Sequence, residues 1–230
     1  MSSAPDNAVP ATTDAPAPAD IDAPVLAAPV ARSSVATDIA LIATFAAFIA
    51  VCAIIGEIKT GSSVPITLQT FGVILTGLVL GWWRGALAVL LYLALGLIGL
   101  PIFAEHTGGV AVLGKPSAGY LLAFPLGAAL AGYLATVTMR AVDRYVPAGR
   151  PALRSTWRYV ALFLSGLTAS FLTIHLAGIA GLIVKLGLTF REALAIDVVF
   201  WPGDVVKNLA AAGVALAIFR AFPDLLRNRR

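Results

Sequence analysis

Apolar residues come in six long runs along this chain: 37–56, 67–80, 85–100, 120–139, 159–184 and 198–219. Runs of this length with few charges predict transmembrane helices. The second and third are short. At about 1.5 Å per residue they cover about 21–24 Å, against a hydrocarbon core of about 30 Å. Read as one span, 67–100 would be far too long and would bury Arg84. The cluster Gly81-Trp82-Trp83-Arg84-Gly85 therefore predicts a tight interfacial turn with its tryptophans at headgroup depth. The expected fold is an all-α integral membrane protein, a six-helix bundle occupying residues 35–222.

Composition supports lipid as the main solvent. Of 230 residues, 59% are hydrophobic and 12% charged, and the mean hydropathy is +0.91. A soluble domain carries about a quarter charged residues, so a water-facing exterior could not be covered here. Residues 1–34 differ: Asp6, Asp14, Asp20 and Asp22 are scattered through Pro, Ala, Ser and Thr. Lacking the basic start and apolar core of a signal peptide, this stretch predicts a disordered cytoplasmic tail. Residues 223–230 form a basic cytoplasmic tail on the same reading. The single cysteine, Cys52, lies in an apolar run, which excludes a disulfide framework.

The basic residues orient the bundle. With both termini cytoplasmic, the inner side holds Arg32, Arg84, Arg140, Arg144, Arg150, Arg154, Arg158, Arg220, Arg227, Arg229 and Arg230. The outer side keeps Lys59, Lys115, Lys185 and Arg191. That asymmetry follows the positive-inside rule. Because the basic run 140–158 falls between two spans, topology and lipid headgroups account for it, and no nucleic-acid partner is expected.

Two charges fall inside an apolar span. In Trp201-Pro202-Gly203-Asp204-Val205-Val206-Lys207, Asp204 and Lys207 stand three apart and share a helix face. A charge at the centre of a span costs about 2.5–3.5 kcal/mol on insertion scales. Pairing lowers this, yet buried pairs seldom repay their own desolvation. The pair either pins the last helix to the bundle or is completed by a polar ligand. Pro202 suits a first helical turn, which would aim N–H groups and the positive dipole end at such a ligand. A carboxylate beside an ammonium suits a group that carries both donors and acceptors, such as a cyclic urea.

Other polar positions are less specific. Gln69, at the entrance of the second span, could meet a ligand or bond a neighbouring helix. Residues 57–66 read as an outer loop. The connection 101–119 is the longest outer loop and a candidate lid, where Gly108 and Gly109 allow close backbone approach. His106 beside Glu105 makes no metal site, since no other ligand clusters with them. His175, within the fifth span, reads as a helix-contact histidine. In the first span, Ala43 with Ala47 and Ala46 with Ala50 form small-residue stripes suited to internal packing or to a docking partner.

Several of these stretches resemble one family. Residues 64–73 (VPITLQTFGV), 85–93 (GALAVLLYL) with 99–103 (GLPIF), 119–125 (GYLLAFP), and Pro202-Gly203-Asp204 with Lys207 are similar, in order, to the BioY family, the biotin-specific S components of energy-coupling factor transporters. The resemblance covers residues 37–222. It implies a six-helix S-component fold in a bacterial inner membrane, biotin capture from outside, and cytoplasmic termini. It implies as partners a transmembrane coupling protein and ATP-binding cassette ATPases, with a homo-oligomer as a further possibility. By position, Asp204 and Lys207 are expected at the ureido ring, Gln69 at the ligand, and Tyr120, Gly108 and Gly109 near the valerate chain. The alanines of the first span match the docking face. Where the family often shows two glycines before the aromatic residue, this chain has Ala118-Gly119. It also has no lid asparagine for the ligand carboxylate, so Thr107 or Lys115 is the expected substitute.

No Walker-type Gly-Lys-Ser/Thr loop occurs, so ATP hydrolysis would belong to a partner. No cofactor and no catalytic residue are expected. The other readings are an S component for a different vitamin, an intramembrane enzyme, and a self-sufficient secondary transporter coupled to protons through Asp204.

Overall fold

A computed structural model describes residues 34–55, 64–223 and 225. The expected tails, apart from residue 34 and a few positions after 222, and the loop residues 57–63 lie outside them. Seven helices follow in order: α1 (Val35–Ile55), α2 (Gln69–Leu80), α3 (Trp82–Leu97), α4 (Ala118–Tyr145), α5 (Pro151–Leu186), α6 (Phe190–Val198) and α7 (Trp201–Ala221). Two 3₁₀ turns, Ala104–His106 and Val110–Gly114, punctuate the loop between α3 and α4. Among the described residues, the nearest thing to a strand is an isolated bridge between Phe103 and Thr107.

Among the described residues, four helices, α1, α4, α5 and α7, are long and apolar enough to cross a membrane. The 12 residues of α2 and 16 of α3 are shorter, about 18 and 24 Å. Ten of the twelve α2 residues are buried, as in a helix apolar all round and enclosed by neighbours. The outward faces of the others carry Ile39 and Val51, Leu122 and Leu126, Leu172 and Leu176, and Val206, all exposed. An apolar belt of that extent needs lipid to cover it, and the chain is a multi-pass membrane protein.

The turn between α2 and α3 is tighter than the sequence suggests. It is made by Gly81 alone, at φ 84° and ψ −177°, a conformation open mainly to glycine. Trp82, Trp83 and Arg84 already belong to the first turn of α3. A Cβ on Gly132 of α4 would fall 2.4 Å from the Gly81 carbonyl carbon, so the turn and α4 are in backbone contact. Arg84 is buried and its Nη2 lies 2.7 Å from Asp38 Oδ1 on α1.

Two other boundaries differ from expectation. The fifth helix begins eight residues early, at Pro151, because proline at a helix start is preorganised. It also contains a π turn, Ser170–His175. The last helix starts three residues later than its apolar run, at Trp201, and a separate helix, α6, ends at Val198. A capping box made by Thr189 and Glu192 opens α6.

Candidate functional site

One cavity opens between the start of α2, the 101–117 loop, the first turns of α4, the π turn of α5 and the α6–α7 junction. It holds about 830 Å³ of empty space, open mouth included. Most of its wall is apolar, with Val64, Ile66, Phe103, Val112, Leu121, Phe124, Ile174 and Phe200.

Polar groups gather at its α2–α7 wall. Pro202 stands in the first turn of α7, which brings Asp204 and Lys207 inward. Lys207 Nζ donates to Asp204 Oδ1 at 2.8 Å and to Thr70 Oγ1 at 3.1 Å. Thr70 Oγ1 in turn donates to Asp204 Oδ1 at 3.0 Å. The ammonium has three hydrogens, so one remains for a guest. Asp204 is 3% exposed; a carboxylate so deep must be met by donors. Asn208 Nδ2 braces this turn by donating to the Asp204 carbonyl at 2.8 Å.

Behind Asp204 a second layer carries the charge deeper. His175 Nε2 lies 3.1 Å from Asp204 Oδ2, an ion-pair contact that is not aligned as a hydrogen bond. His175 Nδ1 lies 2.9 Å from Asp197 Oδ1 and 3.0 Å from Oδ2. Asp197, fully buried, also accepts from the Tyr120 hydroxyl and from Trp201 Nε1, each at 2.8 Å. The Tyr120 ring presses on Gly178, where a Cβ would lie 2.1 Å from it.

The structure thus brings Gln69, Thr107, Lys115, Tyr120, Asp204 and Lys207 to one cavity. Gln69 Nε2 donates to the Tyr92 hydroxyl at 2.7 Å, and that hydroxyl donates to the Ile102 carbonyl at 3.2 Å. The helix-bonding reading of Gln69 therefore holds for its amide nitrogen, at the cavity wall. Thr107 donates to the Ala104 carbonyl at 2.8 Å. Lys115 pairs with Glu105 at 3.1 Å, across a loop that holds Glu105 and His106 at φ 59° and 53°. Non-glycine residues rarely adopt such angles unless the surroundings impose them.

Gly108 and Gly109 are not brought to the cavity. A Cβ on Gly108 would meet the Leu100 carbonyl oxygen at 2.3 Å, and Gly109 N donates to the Gly96 carbonyl at 2.7 Å. The close backbone approach they allow is to their own loop, which they clamp against the end of α3. The alanine stripe also divides. Ala46 is buried and Ala50 packs on the core, whereas Ala43 and Ala47 are exposed. A helix of 3.6 residues per turn carries both i,i+4 pairs on neighbouring but different faces, so only one pair can meet a partner.

Sequence reasoning missed Thr70, Glu105, Phe124 and Phe200 at the cavity, and Asp197 behind it. A signal for Asp197 existed: Asp197, Trp201, Asp204 and Asn208 recur at helical spacing in an apolar stretch. His175 is a helix-contact residue as expected, but its contacts are carboxylates. With both ring nitrogens turned toward carboxylates, the imidazole is not placed to activate a nucleophile.

Comparison with known proteins gives this geometry its context. A biotin transporter BioY of Rhizobium etli is 37% identical over 189 residues, covering 82% of this chain and 96% of the relative. The biotin transporter BioY of Rhodobacter capsulatus is 38% identical over 193 residues, 84% and 98% of the two chains. Among solved structures, the S component for biotin from an ECF-type ABC transporter superposes with a TM-score of 0.67 at 25% identity, covering 80% of this chain and 92% of that one. Residues 23–224 match the BioY family, whose members are transporter components and not enzymes, and the chain belongs to that family.

Proposed function

We propose that this chain is the biotin-capturing S component of an energy-coupling factor transporter, and that the described cavity receives biotin from the outer side. The observation that carries this is the Asp204–Lys207–Thr70 cluster on the wall of an otherwise largely apolar cavity. Biotin presents a ureido ring with two N–H donors and one carbonyl. Asp204 accepts from the ring N–H and the remaining Lys207 hydrogen donates toward the carbonyl. The thioether ring and valerate chain lie along Phe103, Phe124 and Phe200, and the carboxylate reaches Lys115 and Thr107 under the loop. Lys115 then exchanges part of its pairing with Glu105 for the ligand carboxylate.

The two relatives named as biotin transporters and the solved S component for biotin support the substrate. The ECF-type origin of that S component supports a coupling protein and ATPases as partners. Exposed Ala43 and Ala47 on α1 are the docking positions in this reading, and the uneven distribution of arginines along the chain supports cytoplasmic termini.

Purified protein is expected to bind biotin, with Asp204→Asn and Lys207→Ala each losing at least tenfold in affinity. Binding of thiamine or riboflavin in place of biotin by the wild type would refute the substrate. Uptake of labelled biotin should require a coupling module; uptake in a host lacking every such component would refute the partner assignment.

A further inference from the structure

Asp197 and His175 do not themselves line the cavity, yet they end a row of charges that begins at its wall. The row reads Lys207, Asp204, His175, Asp197, with successive contacts of 2.8, 3.1 and 2.9 Å. Three helices supply it: α5 the histidine, α6 Asp197 and α7 the remaining pair. Among the described residues the charged partners of the imidazole are Asp197 and Asp204; Phe171 stacks on its face at 4.5 Å between ring centroids. Tyr120 of α4 faces Asp197 as a donor.

The donor inventory bears on where the hydrogens sit. A neutral imidazole has one N–H and one lone pair, whereas an imidazolium has two N–H groups. Here both nitrogens face carboxylate oxygens. Asp204 Oδ1 accepts from two donors, Thr70 and Lys207, as an ionised carboxylate does. A ring lone pair aimed at that carboxylate would be repelled. With a cation between them, the two buried carboxylates and Lys207 sum to zero; without it the row keeps a net negative charge that burial disfavours. The π turn supplies the placement. Such turns add a residue to a helix and recur at functional sites, and this one ends on His175.

We propose that His175 and Asp197 are positioning residues of the ligand site: the imidazole carries a hydrogen on both nitrogens, and this cation, held by Asp197, fixes Asp204 so that its carboxylate and Lys207 face the guest together. The inference rests on the reading of the cavity as a biotin site. Asp197 acts on Asp204 through His175, and its other donors, Tyr120 and Trp201, hold the carboxylate in place for that contact.

The experiment combines spectroscopy with binding. In protein labelled with ¹⁵N-histidine and held in nanodiscs at pH 7.5, the two histidines are separated with a His106→Gln variant. Both ring nitrogens of His175 are expected to read as N–H; one bare nitrogen overturns the proposal. In biotin titrations, His175→Gln is expected to weaken affinity at least tenfold and Asp197→Asn at least threefold. The double variant should stay within threefold of His175→Gln alone. Wild-type affinity in either single variant, or fully additive losses, overturns the proposal. Where His175→Gln does not yield folded protein, Asp197→Asn and the nitrogen signature decide. Failure of the wild type to bind biotin counts against the ligand assignment instead, and the nitrogen signature still tests the cation.

Discussion

The hydroxyl of Thr70 lies 3.0 Å from Asp204 Oδ1, tying the first turn of α2 to the first turn of α7. The Thr70 hydroxyl oxygen itself accepts from Lys207 Nζ at 3.1 Å. Thr70 is therefore the joint at which two helices distant in sequence agree on the position of one carboxylate.

Replacing that joint with an isostere tests it. Thr70→Val keeps the volume and removes both hydrogen bonds, each worth about 1.5–3 kcal/mol where a charged partner is involved. Biotin affinity measured by titration is expected to fall about tenfold. An unchanged affinity would show that the α2–α7 joint is irrelevant to the site.

Close packing behind Tyr120 gives a second expectation. With a Cβ at Gly178 only 2.1 Å from the Tyr120 ring, Gly178→Val must push that ring off Asp197. Overpacking of this kind costs about 1–3 kcal/mol, read as a lower melting temperature in detergent. The shift should be accompanied by weaker biotin binding, because Tyr120 lines the cavity.

The Asp38–Arg84 pair joins α1 to α3 away from the cavity. Arg84→Met alone leaves Asp38 without its partner, and a destabilisation of about 1–3 kcal/mol is expected for a pair of this burial. Arg84→Met with Asp38→Leu should recover most of it. Thermal melts of the three proteins check both statements, and biotin affinity should change little in any of them.

The start of α6 carries a pH-dependent contact outside the spans. Glu192 accepts from the backbone N–H of Thr189 and then from its hydroxyl, and these bonds hold its carboxyl below the ordinary glutamate range. A lowered acid stabilises the fold above its unfolded value and loses that contribution as pH falls through its folded one. Melting temperatures followed from pH 6 down to pH 3.5 should therefore drop more steeply in the wild type than in Glu192→Gln.

Much of this arrangement was legible in the sequence. Long apolar runs mark the membrane helices, though not α6, and the two charges one turn apart in the last run stand together on the cavity wall. Other features were hidden for definite reasons. Thr70 is an ordinary threonine until α7 is laid against α2. The break between α6 and α7 falls in an apolar run whose residues suit a helix, and only the capping box upstream hints at a separate start. Gly108 and Gly109 look like lid residues because glycine permits close approach without saying to what. His175 looked like a packing residue, since its partner Asp197 lies 22 positions away on another helix.

The π turn makes α5 tolerant of length at one level only. It already accommodates one added residue, so the stretches before and after 170–175 both keep their faces toward α4. Removing one residue there would let the helix run as an uninterrupted α-helix with its two ends still in register, because the wide turn is what absorbs the extra position. The loss would be local: the imidazole that closes the turn would leave its place between Asp197 and Asp204. A point deletion elsewhere in α5 would instead rotate every following position by about 100° and uncouple the two ends of one helix.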